Sequence, residues 1–188
     1  MRLNRLCLKK VSLISLAMVA GLTSSTAPAV TLNFSATIMP GTCSLSLDKS
    51  VLPLDEMSQA RLRSGVLLNS QPFTLKVGNC DGVATAGLQP MITVSGEGVT
   101  QDGKWLFRSS DSSAGGSGVM LVQSANMPNY NSTEVKPANT YPLAAVGQIP
   151  VGKDLPFFAG ISCGGSTGCA TVKPGKVIAR ITFTFAYR

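Results

Sequence analysis

The chain has 188 residues, no histidine, five cysteines and a net charge of +7 from 16 basic and 9 acidic residues. Four of the basic residues, Arg2, Arg5, Lys9 and Lys10, crowd the start, so beyond them 12 (16 − 4) face 9, and the charge no longer argues for a nucleic-acid partner. The missing histidine removes the commonest general base and a common metal ligand.

In chain order, the basic start is followed by the apolar run "VSLISLAMVAGL" (11–22) and the small residues "TSSTAPA". This is the layout of a secretory signal peptide spanning residues 1–29, with an apolar run shorter than the roughly 20 residues of a membrane span. No later stretch is long and apolar enough to insert into a membrane. "VTLNFSATIM" (30–39) alternates, placing Val30, Leu32, Phe34, Ala36 and Ile38 on one face, the period of a strand. A short helical turn is expected at "SQARLR" (58–63). "QPFTLKVGNC" (71–80), "PMITVSG" (90–96), "KWLF" (104–107), "GVMLVQS" (118–124), "TYPLAAVG" (140–147) and "LPFFAGISC" (155–163) read as further strands. A terminal strand runs from about Val177, with Ile181, Phe183, Phe185 and Tyr187 in phase. Turn signals such as "SGEG", "QDGK" and "KPGK" separate them, and "SSDSSAGGSG" (109–118) reads as a flexible surface loop. Short, regular strands without a repeat or a linker predict one all-β sandwich.

The chemistry-bearing residues do not assemble into a catalytic motif. Outside the leader, Cys43, Cys80, Cys163 and Cys169 lack zinc-site spacing, and two disulfides are expected in an oxidising compartment. Of the three connectivities, Cys43–Cys80 with Cys163–Cys169 is favoured, because "GGSTG" is flexible enough to close the tight second loop. "AGGSG" lacks the Gly-Lys-Ser/Thr ending of a phosphate cradle. Asp48, Asp55, Glu56 and Asp154 are scattered acids that nothing draws into a pair. No enzyme activity, metal or cofactor is expected. Trp105, beside Asp102 and Lys104, is the residue a sugar site would use.

The resemblance to a known family rests on "VTLNFSATIMPGTCSL", "PFTLKVGNC", "GVMLVQS" and "LPFFAGISC…KPGKVIARITFTFAYR". These stretches resemble pilus subunits of the bacterial chaperone–usher pathway, such as those of type 1 fimbriae, over essentially the whole chain after residue 29. The family's terminal signature, a penultimate Tyr and a Gly fourteenth from the end, falls on Tyr187 and Gly175. The resemblance implies an incomplete immunoglobulin-like sandwich, lacking its last strand and completed by a donor strand. It implies an N-terminal donor-strand extension over 30–42 and a pilin domain over 43–188. Val30, Leu32, Phe34, Ala36 and Ile38 would enter the neighbouring subunit. Gly175, Val177, Ala179, Ile181, Phe183, Phe185, Tyr187 and Arg188 would form the strand that borders the groove and is captured by a chaperone. Cys43 and Cys80 match cysteines that bridge early strands in the family, whereas the Cys163–Cys169 pair is not general there. Ala36 stands where family members often carry Gly. The implied partners are a periplasmic chaperone, an outer-membrane usher and neighbouring subunits, without nucleic acid or membrane insertion. The implied destination is a cell-surface fimbrium reached through the periplasm. With room for one such domain, the chain is expected to be a shaft or linking subunit. The alternative is a self-contained secreted β-sandwich, an adhesin or sugar-binding module, with Trp105 in its site.

Overall fold

Nine strands and two short 3-10 turns make up the regular structure of residues 35–188, the part of the chain that the computed structural model describes. The leader and Val30, Leu32 and Phe34 lie outside the described residues. Residues 35–39 carry no strand and are exposed, with Ile38 95% accessible. The strands are β1 (Gly41–Leu47), β2 (Leu68–Gly82), β3 (Pro90–Gly96), β4 (Gly98–Gln101), β5 (Lys104–Phe107), β6 (Gly118–Gln123), β7 (Thr140–Pro142), β8 (Lys153–Ser162) and β9 (Ile181–Tyr187). They form two sheets, ordered β1-β2-β8-β6-β5-β4 and β7-β3-β9, and every paired neighbour is antiparallel. The compact unit spans Ile38–Arg188.

Alternation builds the core between the sheets. Phe73, Leu75 and Val77 of β2 share a face with Leu155, Phe157, Ala159 and Ile161 of β8. Their register places Phe73 opposite Phe157, with ring centroids 5.5 Å apart. The facing sheet contributes Ile92 and Val94, both buried. β8 is paired on both edges, with β2 and with β6, and its run from Phe157 to Ser162 is buried.

Several elements differ from the sequence expectation. β1 begins at Gly41, and its in-phase Cys43, Leu45 and Leu47 are shifted by one residue from the even-numbered ladder of 30–38. β4 is polar and forms because "QDGK" turns the chain back onto β5. Asp102 (φ 47°) and Gly103 (φ 79°) take the two left-handed positions of a two-residue hairpin turn. The expected strand over 140–147 stops at Pro142, after which the Leu143 and Gly147 N–H groups donate to Pro90 O and Leu88 O. The helical turn is a single 3-10 turn, Gln59–Arg61, capped by Ser58 Oγ accepting from the Ala60 N–H. Both disulfides pair as favoured: Cys43–Cys80 joins β1 to β2 at a bulge, and Cys163–Cys169 closes a loop after β8.

Candidate functional site

Among the described residues, β9 pairs with β3 along one edge and with no strand along the other. Gln89 and Arg188 exchange both backbone hydrogen bonds (2.6 and 3.1 Å), which fixes the alternation of the ladder. Residues 182, 184, 186 and 188 therefore turn their N–H and C=O groups toward β3. Ile181, Phe183, Phe185 and Tyr187 turn theirs to the unpaired edge.

The same alternation continues upstream, where the expected strand from Val177 is replaced by an extended segment without a strand partner. The serines of the 109–114 loop take the place of a ladder. Lys176 N–H donates to Ser113 Oγ (2.8 Å), Ile178 N–H to Ser112 Oγ (3.0 Å) and Arg180 N–H to Ser109 Oγ (3.1 Å). Ser109 N–H donates to Ile178 O (2.7 Å), and Ser113 N–H to Lys176 O (2.9 Å). The glycine- and serine-rich stretch is thus a tied connection rather than a flexible loop, and Ser109, Ala114 and Ser117 are buried. The Lys176 and Ile178 N–H and C=O groups and the Arg180 N–H are satisfied by this loop, so Val177 and Ala179 join the odd-numbered row facing the open edge. Gly175 begins this segment at φ 151°, and a Cβ there would lie 2.5 Å from Ala114 N. Only glycine allows so close an approach to the loop.

Along this edge lies a groove of about 870 Å³. Its floor is core: Phe73, Val119, Ala159 and Ile161. One wall is the odd row, Gly175, Val177, Ala179, Ile181 and Phe183. The other wall follows β1, where Leu52, Leu54 and Met57 pack against the core in irregular chain. This wall is pinned by Asn69 Nδ2 donating to Leu54 O (2.9 Å), and by Asp48 Oδ1 accepting from the Thr74 N–H (2.8 Å). Phe183 reaches the aromatic core, 5.2 Å from Phe157 and 6.4 Å from Phe73 between centroids. The side chains along the row are half-buried: one face touches the core and the rest meets solvent. Unpaired backbone above an apolar floor is the chemistry of a strand acceptor, since an added strand would satisfy both.

The groove is shut at the β9 C-terminus. Tyr187 Oη sits over the backbones of Gly41 and Gly82, where added Cβ atoms would come within 2.6 and 3.1 Å of it. That hydroxyl is buried without a partner among the described residues, and burial raises its pKa. Arg188 is exposed and completes the β3 ladder through its backbone. At the opposite end the walls meet through one exposed contact, Gln59 Nε2 donating to Val172 O (3.0 Å).

The other sequence candidates lie elsewhere. Trp105 is half-buried, packs edge-on against Phe107 at 6.0 Å, and its indole N–H is buried. The Cys163–Cys169 loop is held by the β4–β5 turn: Asp102 accepts from Thr167 Oγ1 (2.6 Å) and N–H (3.1 Å), which hold its carboxyl below its ordinary pKa. Ala36 and Ile38 are exposed, and Ile38 is not among the residues that line the groove. Among the described residues, no helix is long and apolar enough to cross a membrane. Sequence reasoning missed the Leu52–Leu54–Met57 wall, although their spacing past β1 carried an apolar signal.

No family model and no curated protein matches the chain. Among solved structures it is similar to the crystal structure of the P pilus rod subunit PapA. The two share 16% identity at a TM-score of 0.49, over 80% of this chain and 100% of that one. It is also similar to a structure of a chaperone-usher pilus, at 16% identity and a TM-score of 0.48, over 86% of this chain and 100% of that one.

Proposed function

We propose that this protein is a structural subunit of a bacterial surface fimbria, polymerised by exchange of strands between copies or sibling subunits. The observation that carries the reading is the unpaired odd-numbered row from Val177 to Tyr187 above an apolar groove. Residues 30–38 supply the matching segment: Val30, Leu32, Phe34, Ala36 and Ile38 form one apolar face. Four large side chains buried at about 1.5–3 kcal/mol each give roughly 6–12 kcal/mol before the cost of ordering the tail. In this reading the groove is first occupied by a strand of a periplasmic chaperone, which also grips the Arg188 carboxylate. The subunit then passes to an outer-membrane usher, where the neighbour's extension replaces the chaperone strand. The subunit binds other subunits and performs no catalysis.

The test removes residues 30–39 and, separately, makes Phe34→Arg. Both variants should still be recovered bound to chaperone, and neither should donate to the next subunit. Thr31→Arg, on the opposite face of the strand, should have a milder effect. Loss of the folded, chaperone-bound subunit with polymer still forming would overturn the reading.

A further inference from the structure

We infer that the body of one copy abuts the mouth of the next copy's groove. Asp81 and Val83 of the donating copy pack against Lys173, Pro174 and Lys176 of the accepting one. This rests on the strand-exchange reading above.

The two ends of the groove differ. The Tyr187 end is closed by contact of β9 with the backbones of Gly41 and Gly82, whereas the Val172 end is spanned by one exposed side-chain hydrogen bond. A chain filling the groove must leave it at the Val172 end. Length agrees: Val30 to Ile38 is eight residue steps, as is Phe183 to Gly175, each about 26 Å at strand rise. With Ile38 at the mouth, Val30 stands opposite Phe183, Phe34 opposite Ala179 and Ala36 opposite Val177, large against small at the last two positions.

After Ile38 only Met39 and Pro40 precede Gly41, the first residue of β1. Three residue steps reach at most about 11 Å, so the donating body has no free linker and must rest against the mouth. The surface around that exit is formed by β2 and the residue after it. Asp81 pairs with Thr42 and is exposed, while Val83 donates its N–H to Pro40 O (2.8 Å) and is 63% exposed. The mouth presents Lys173, Pro174 and Lys176, all exposed. Asp81, Lys173 and Lys176 form no salt bridge among the described residues, so opposite charges and an apolar pair, Val83 with Pro174, are available to meet.

Paired cysteines test this in the full chain expressed with a chaperone and usher. Asp81→Cys with Lys173→Cys places both thiols on exposed positions of one chain. Ala36→Cys with Val177→Cys reports groove filling independently. Oxidation should give a ladder of covalent multimers on non-reducing gels for each pair and for neither single variant. A ladder from Ala36→Cys/Val177→Cys alone would overturn the proposed abutment and leave strand exchange standing. No ladder from either pair would overturn strand exchange and the abutment with it. A ladder from the single variants would also count against the abutment.

Discussion

β8 and β9 are written in nearly the same alphabet and end in different places. β8 carries Leu155, Phe157, Ala159 and Ile161 in phase, and β9 carries Ile181, Phe183 and Phe185. β8 has a strand on each side and Phe157 is fully buried; β9 has β3 on one side, and its phenylalanines are half-buried. The apolar period of a strand thus says which face seeks a core. Whether the backbone edge is also used depends on what the rest of the topology supplies.

The largest expected effect is on the buried member of the pair. Phe157→Ala should destabilise the fold by about 4 kcal/mol, because its ring touches Phe73, Tyr141 and Phe183 and leaves a cavity that cannot collapse. Phe183→Ala should cost about half as much in the free chain, and approach the same cost once the groove is filled. Denaturant unfolding of both variants, with and without a peptide of residues 30–39, measures this.

Acid should act next, on the β8 side. Glu134 forms a bridge to Val122 of β6 on the β8 side of the molecule. Burial acts to raise its pKa, but Lys104 and Lys136, each 3.0 Å away, outweigh it and hold the carboxylate at about 2. A pKa below its unfolded value contributes stability above pH 4.5 that is lost as pH falls toward 2, up to about 3 kcal/mol. Glu134→Gln should flatten that slope in unfolding curves recorded between pH 5 and 2.

Much of this arrangement is readable from residues alone. β2 announces itself by alternation, and β3, β5, β6 and β8 by short apolar runs between turn signals; the odd row of β9 is legible because Ile181, Phe183, Phe185 and Tyr187 stay in phase. Both cysteine pairings follow the favoured connectivity. β1 escapes because its phase shifts by one residue after "PG", and β4 because a polar "GVTQ" becomes a strand through the hairpin that carries it. The serine loop escapes for a physical reason: a side-chain ladder requires Ser109, Ser112 and Ser113 to lie beside residues some 65 positions away, and composition alone reads as slack.

That ladder sets the smallest prediction. Ser112 Oγ both accepts from Ile178 N–H and donates to Ile178 O, each at 3.0 Å. Ser112→Ala should cost about 1 kcal/mol in global stability, and raise amide exchange at Ile178 while leaving β8 unchanged.

Amide exchange resolved along 177–187 tests the central claim most directly. In the folded chain with an open groove, the amides of Thr182, Thr184 and Ala186 should be protected by β3, and those of Ile181, Phe183 and Phe185 should exchange far faster. Adding a peptide of residues 30–39 should protect the odd amides as well, from Val177 onward. Odd amides that are already protected in the free chain, or that stay unprotected with saturating peptide, would contradict the account.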